Sequence, residues 1–252
     1  MKPLVPLMAI ALLAPVTFIQ AQSPSPGTPR PTASASPSAS TDPAAARTDV
    51  YHIHFAKATT GKAAELADFL KTPDPKAAMP GHTMLLRHQQ GEAWDYVEIE
   101  HMGTKATVEA AGTAVPPAMR SLTEWHNDTF VNGPSWSEFT KEMGLTGDAA
   151  KGGGVYAVSV YRAAAGHRED LEKFLSQPPV AGTDMIAGTV LMQHLEGSEW
   201  TFFSISYYKS WQDFATSETN SVAQSSKGEG GWFDLRKHIA SHSDTLCYRI
   251  AP

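Results

Sequence analysis

The chain has one cysteine, Cys247, among 252 residues. No intrachain disulfide can form, and no Cys-x-x-Cys or Cys/His zinc spacing exists, so the fold must be held by its core. Cys247 lies on the predicted last strand and is expected to be a small buried filler rather than a nucleophile. Clustered Lys and Arg are also missing. Lys and Arg number 20 against 26 Asp and Glu, a net charge of -6. That balance lacks the basic footprint phosphate backbones require, so no nucleic-acid partner is expected. No Gly-rich phosphate loop, Gly-x-Ser-x-Gly elbow or His-Glu-x-x-His run is present. Beyond the first residues, no apolar run is long enough to span a bilayer.

The N terminus is the exception. Lys2 precedes the apolar stretch Leu4 to Ile19, which Pro6 and Pro15 interrupt, and Ala21 offers a small residue for cleavage. Residues 1–21 therefore read as a signal peptide, with an uncleaved anchor as the alternative. No cysteine follows the stretch, which excludes a lipoprotein anchor. The chain is expected to be exported, periplasmic or secreted, with no stable membrane span once the signal is cleaved. Residues 22–47 are mostly Pro, Ser, Ala and Thr and cannot bury enough apolar surface to offset their ordering entropy. They read as a disordered linker.

The remainder carries an internal repeat. Val50-Tyr51-His52-Ile53-His54-Phe55, Gly61, Leu66, Phe69 and Leu70 align with Val155-Tyr156-Ala157-Val158-Ser159-Val160, Gly166, Leu171, Phe174 and Leu175, about 105 residues on. His88, Gly91 and Trp94 meet His194, Gly197 and Trp200. Arg120 with His126-Asn127-Asp128-Thr129 meets Arg236 with His242-Ser243-Asp244-Thr245. A period of this size means duplicated domains, here 48–148 and 153–252, with glycines 152–154 at the junction. Each copy reads as strand, helix, hairpin, helix, strand: alternation over Val50–Ala56, an apolar helical face at Leu66, Phe69 and Leu70, and strands at Thr83–Gln89 and Trp94–His101. A second helix runs from Lys105, breaks near Pro116-Pro117 and resumes through Trp125, before a last strand after Asp128. The second copy ends with the strand Thr245 to Ile250.

Strand-helix-strand-strand-helix-strand is the ferredoxin-like βαββαβ pattern, whose helices cover one sheet face only. The predicted fold class is α+β: two ferredoxin-like repeats packed sheet to sheet as an intrachain α+β barrel. With its Gly-x-x-Trp hairpins (Gly91 to Trp94, Gly197 to Trp200), the chain resembles the dimeric α+β barrel superfamily, which includes antibiotic-biosynthesis-type monooxygenases and haem-degrading or haem-binding relatives. The resemblance implies a barrel cavity that takes a small apolar or aromatic molecule.

Side chains on a strand alternate between faces. Tyr51, Ile53 and Phe55 form the apolar set of the first strand and are expected to meet the helices. His52 and His54 then point into the barrel, beside Glu98 and Glu100 on the neighbouring third strand. His52, His54, Glu98 and Glu100 are the catalytic candidates, since a carboxylate that orients an imidazole supports proton transfer. His52, His54 and Glu98 would also suit a divalent transition metal. Whether the cofactor is such a metal, haem or none stays open. Arg87, Trp94, Tyr96, Tyr161 and Trp200 are expected to line the same cavity. At the matching places of the second copy stand Ala157, Ser159, Ser204 and Ser206, which cannot ligate a metal in this way. The bland alternative is that the histidines and glutamates sit on a hydrated surface. His88 and His194 are expected to be solvated.

His126 and His242, in the repeated Arg-x5-His-x-Asp-Thr, are further ligand-binding candidates. The competing reading places this motif at a helix-to-strand turn, closed by Asp and Thr through side chain to backbone bonds. Three functional classes follow: a small-molecule-binding barrel with monooxygenase-like activity on an aromatic or haem-like ligand, a non-catalytic periplasmic binding or stress-related module, and an interaction protein with a filled barrel. A homodimer is compatible with each.

Overall fold

The computed structural model describes residues 47–110, 117–151, 153–228 and 230–252. The segments read as signal peptide and linker lie outside the described residues, apart from Arg47. That residue belongs to the folded body. Its guanidinium pairs with Glu172 at 2.6 Å, its Nε donates to the Leu191 carbonyl at 3.1 Å, and its side chain is 5% exposed.

Eight strands form one closed antiparallel barrel. In chain order they are β1 (Asp49–Ala58), β2 (Thr83–Gln90), β3 (Tyr96–Gly103), β4 (Thr123–Gly133), β5 (Val155–Ala163), β6 (Gly188–Glu196), β7 (Phe202–Tyr208) and β8 (Ile239–Ala251). Around the barrel the order is β1-β3-β2-β8-β5-β7-β6-β4. The helices are α1 (Ala63–Leu70), α2 (Lys105–Ala110), α3 (Pro117–Leu122), α4 (Trp136–Glu142), α5 (Arg168–Leu175), α6 (Trp211–Ser225) and α7 (Gly231–Leu235), with a short 3-10 turn at Gly147–Lys151. Helix α1 ends before Pro73 and Pro75, which cannot continue it. Helix α4, which the sequence pattern did not reveal, starts at a Ser-x-x-Glu cap in which Ser135 Oγ accepts from the Glu138 N–H at 3.3 Å.

The lumen is filled. Tyr51, Ile53, Phe55, Met84, Leu86, Val97, Ile99 and Val131 of the first half form one buried cluster with Tyr156, Val158, Val190, Met192, Phe203, Ile205 and Cys247 of the second. Phe139 and Met143, from α4 and its end, join the cluster. Two smaller clusters lie outside the barrel wall. Leu85, Ala56, Ala58 and Tyr96 meet Leu66 and Leu70 of α1, and Phe202 and Ile239 meet Leu171 of α5.

This arrangement reverses the expected faces. Tyr51, Ile53 and Phe55 point into the lumen, while His52, His54, Glu98 and Glu100 lie on the outer wall, the side that carries the helices. The enclosed chamber expected between the halves is occupied by aromatic and aliphatic side chains. His88 and His194, expected in solvent, follow the lumen parity instead. Each packs on a tryptophan, His88 on Trp94 at 5.8 Å and His194 on Trp200 at 5.4 Å, and each Nε2 is buried with no hydrogen-bond partner among the described residues. Burial pushes the His194 pKa down, favouring the neutral ring despite Glu196. Cys247 is buried, and burial pushes its thiol pKa up, which suits a filler.

Two seams close the barrel, β2 against β8 and β4 against β6. At each seam a hairpin glycine lies on the opposite half. A Cβ at Gly91 would come within 2.5 Å of the Asp244 carbonyl oxygen, and one at Gly197 within 2.3 Å of that of Asp128. Both glycines have positive φ, 131° and 118°, which disfavours any side chain there. Thr245 Oγ1 accepts from the Glu92 N–H at 3.3 Å, and Thr129 Oγ1 meets Ser198 Oγ at 2.8 Å. The Asp-Thr pairs therefore lie inside strands β4 and β8, not at turns: β4 begins at Thr123 and takes in Trp125, and β8 begins at Ile239. Arg120 is exposed on α3, and Arg236 lies 5.9 Å from the Trp232 ring.

Candidate functional site

Strand β1 lies between β3 and β4. In its register His52 faces Glu100 and His54 faces Glu98 on one side, and His54 faces Asp128 on the other. The neighbours expected from sequence are thus correct, although the face is not. The addition is Asp128, onto which three imidazoles converge. His52 Nε2 lies 2.9 Å and His54 Nδ1 2.7 Å from its Oδ1, and His126 Nδ1 lies 2.7 Å from its Oδ2. Although burial opposes ionisation of Asp128, the bonds from His52 and His54 outweigh it and hold the carboxyl well below the usual range. An ionised carboxylate only accepts, so each of these three ring nitrogens carries a proton and donates.

That assignment fixes the remaining nitrogens. His54 is 3% exposed, and its Nε2 is buried without a hydrogen-bond partner among the described residues. With Nδ1 protonated against Asp128, a neutral His54 presents a bare lone pair at Nε2. His52 differs. Its Nδ1 lies 3.4 Å from Glu100 Oε2, so both ring nitrogens face carboxylates. Burial disfavours its charge, but Asp128 and Glu100 prevail and push its pKa up to about 9. His52 is therefore an imidazolium near neutral pH, with its ring stacked on Phe130 at 5.1 Å. Glu98 is shifted the other way for a carboxyl. Burial and the charge of Glu100 push its pKa up to about 7, against the opposing pull of His52. The site runs from the surface inward: the side chains of His126, Asp128 and His52 are 47%, 35% and 23% exposed, and that of His54 is 4% exposed.

The donor atoms that come together for a metal are those of His52, His54 and Asp128, all within 4.8 Å of one another. Glu98 is not in that group. The separations of 2.7 and 2.9 Å are hydrogen-bond lengths. They are shorter than the donor-donor edge of about 3.3 Å that tetrahedral bonds of ~2.0–2.1 Å require. As they stand, these groups bond to one another, and a metal would have to part them and displace protons.

The other expected ligand-binding residues do not assemble around this cluster. Arg87 is exposed, its guanidinium 4.4 Å from the Tyr248 ring. Trp94 and Trp200 fill the lumen. Tyr96 donates its hydroxyl to the Ala63 carbonyl at 2.8 Å beneath α1. Tyr161 and His242 stack at 6.1 Å on the outer wall of the second half. There the register places Ser204 and Asp244 beside Ser159, so Asp244 has no imidazole on its neighbouring strand. Among the described residues its ion-pair partner is His242, at 3.4 Å.

The hub role of Asp128 is not apparent from sequence, because Asp-Thr reads as a turn and the expected strand begins only after Asp128. Continuing the alternation back through β4 would have set His126, Asp128 and Phe130 on one face. A second cluster was also missed. His101 Nε2 bonds Asp49 at 2.8 Å, its Nδ1 lies 3.0 Å from His82 Nδ1, and both rings stack on Trp136.

No protein-family model and no curated protein matches this chain. No described helix is long and apolar enough to cross a membrane. Among solved structures, a "putative monooxygenase" from Lactobacillus acidophilus NCFM is similar at a TM-score of 0.47 and 8% identity, over 80% of this chain and 94% of that one. The crystal structure of an anthrone oxidase-like protein is similar at a TM-score of 0.52 and 9% identity, over 81% of this chain and 92% of that one. At that identity the likeness to the anthrone oxidase-like protein is one of fold alone: the chain is a mixed α+β barrel.

Proposed function

We propose that this chain is an exported, duplicated α+β barrel protein that binds a small aromatic molecule on the outer wall of its first half and oxidises it in a monooxygenase-like reaction. The observation that carries the reading is His54, whose Nδ1 is held by Asp128 and whose buried Nε2 is left without a partner. A carboxylate that fixes one imidazole nitrogen prepares the other as a base. His54 Nε2 takes a proton from an acidic C–H or O–H of the ligand. The His52 imidazolium, its ring 6.0 Å from that of His54, stabilises the anion that forms. Glu98, half protonated near neutral pH, returns or accepts a proton. A carbanion so formed reacts with molecular oxygen. With anthrone as ligand, the methylene becomes a carbonyl and the balance is anthrone plus oxygen to anthraquinone plus water. The partly exposed His52 and His126 mark the side from which a ligand approaches.

The test is oxygen uptake by the purified chain with anthrone, with anthraquinone as the measured product. Uptake above the protein-free rate, lost in His54→Ala with the fold intact by circular dichroism, supports the reading. Uptake equal in the wild type and His54→Ala removes it. The filled lumen favours a second reading, in which the barrel is a non-catalytic binding or interaction module. Anthrone bound without turnover would select it.

A further inference from the structure

We propose that the second half holds a zinc-type divalent cation between His167, Asp170 and His238, a site separate from the one on the first half. His167 Nδ1 and His238 Nδ1 lie 3.3 Å apart, and Asp170 Oδ2 lies 3.6 Å from His167 Nδ1. All three donor atoms fall within 4.8 Å of one another. A tetrahedral ion with nitrogen bonds of ~2.0–2.1 Å has donor-donor edges of about 3.3–3.4 Å. The imidazole pair already has that spacing. Two imidazoles and a carboxylate leave a fourth position for water, a donor set that suits zinc among first-row divalent ions.

The backbone sets the pair in place. The Ala164 N–H donates to the His238 carbonyl at 2.9 Å, and the His167 N–H donates to the Ala164 carbonyl at 2.9 Å. One residue thus ties both histidines together. Asp170 follows on the first turn of α5, three residues after His167. The first half contains the same framework with different side chains. There the Thr59 N–H donates to the Leu122 carbonyl and the Lys62 N–H to the Thr59 carbonyl, at 2.9 and 2.8 Å. Lys62 pairs with Glu65 at 2.6 Å, and Leu122 packs in the cluster under α1. An ordinary cation-carboxylate pair and an apolar plug therefore occupy the places that His167, Asp170 and His238 hold in the second half. Both non-acidic positions carry imidazoles there, and all three side chains are partly or fully accessible to an arriving ion.

The test is calorimetric titration of the full chain with zinc chloride, repeated with cobalt chloride to record the intense visible bands of tetrahedral cobalt. The wild type is expected to take up zinc. His238→Leu and His167→Lys, each of which installs the first-half residue, are expected to lose one equivalent and the cobalt bands. His52→Ala/His54→Ala is expected to keep that equivalent, which separates this site from the first-half cluster. Full zinc uptake in both His238→Leu and His167→Lys, or no uptake by the wild type, overturns the proposal. So does loss of all uptake in His52→Ala/His54→Ala. Oxygen uptake plays no part in this readout, so either reading can fail alone.

Discussion

The two halves place their strands in the same order but use their outer walls differently. On the first, His52, His54, Glu98 and Asp128 gather at three adjacent strands. On the second, Ala157, Ser159, Ser204 and Asp244 stand at the matching register positions. The lumen and seams draw equally on both halves. Closure is thus a shared task, whereas the carboxylate that gathers three imidazoles lies on one wall only. Asp128 and Asp244 make the point most sharply, since the same residue type in the same strand position is a hub for three imidazoles in one half and meets one in the other.

The largest expected effect tests that contrast. Asp128→Asn should lower anthrone-dependent oxygen uptake by about 10²-fold or more, the range for loss of an organised acid-base group. Asp244→Asn should leave it within roughly twofold, because no base depends on it. Equal losses, measured side by side, would erase the functional asymmetry. The seams should instead behave alike. Gly91→Val and Gly197→Val each force a Cβ onto opposing backbone at positive φ, and each should cost about 3 kcal/mol in urea unfolding. A large loss in only one variant would show that the seams are not equivalent.

Next in size are two pH effects confined to the first half. The folded pKa of Glu98 is raised to about 7. The cost of ionising it is absent below its ordinary pKa near 4.5 and complete above about 7. Glu98→Gln should therefore gain roughly 2–3 kcal/mol on the wild type between pH 4.5 and 7.5. His52 acts with the opposite sign. Its folded pKa of about 9 lies above the ordinary 6.5. Its stabilising contribution is full below pH 6.5 and is lost as pH rises through 9, so His52→Ala should flatten that limb of the stability curve. Urea midpoints at pH 5, 7 and 9.5 check both, and wild-type slopes in either variant would contradict the assignment. The smallest effect concerns the exposed pairs. Lys62→Ala should shift stability by under ~0.5 kcal/mol with or without zinc. His167→Ala should match it without zinc and separate from it when zinc is added.

Much of this arrangement could be read from the chain. Alternation over Val50–Ala56, together with the strand order of a βαββαβ unit, sets His52 and His54 beside Glu98 and Glu100, and the observed register resolves the pairs as His52 with Glu100 and His54 with Glu98. The face could not be read the same way. In a closed barrel both sides of a strand are covered, the lumen by the opposite half and the outer wall by helices, so alternation separates two sets without saying which is inside. Tyr51, Ile53 and Phe55 suit either side. Asp128 was obscured because Asp and Thr are common turn formers, and Pro116-Pro117 suggested that the helical region continued past Leu122. The residues of α4 carry too few apolar positions to announce a helix, yet Phe139 helps to complete the lumen.

The seam between β2 and β8 carries a consequence for assembly. Leu85 finds its partner at Ala251, and Leu86 at Arg249. During biosynthesis the edge of β2 therefore stays unpaired until β8, the last of these eight strands, is available. Pairings this distant in sequence must meet the loop-closure entropy before contacts reward it, which makes folding slow and leaves an open edge that can capture other chains. Removal of β8 would leave two unzipped borders rather than a smaller barrel, and a nascent chain held extended by a chaperone until release would avoid that exposure.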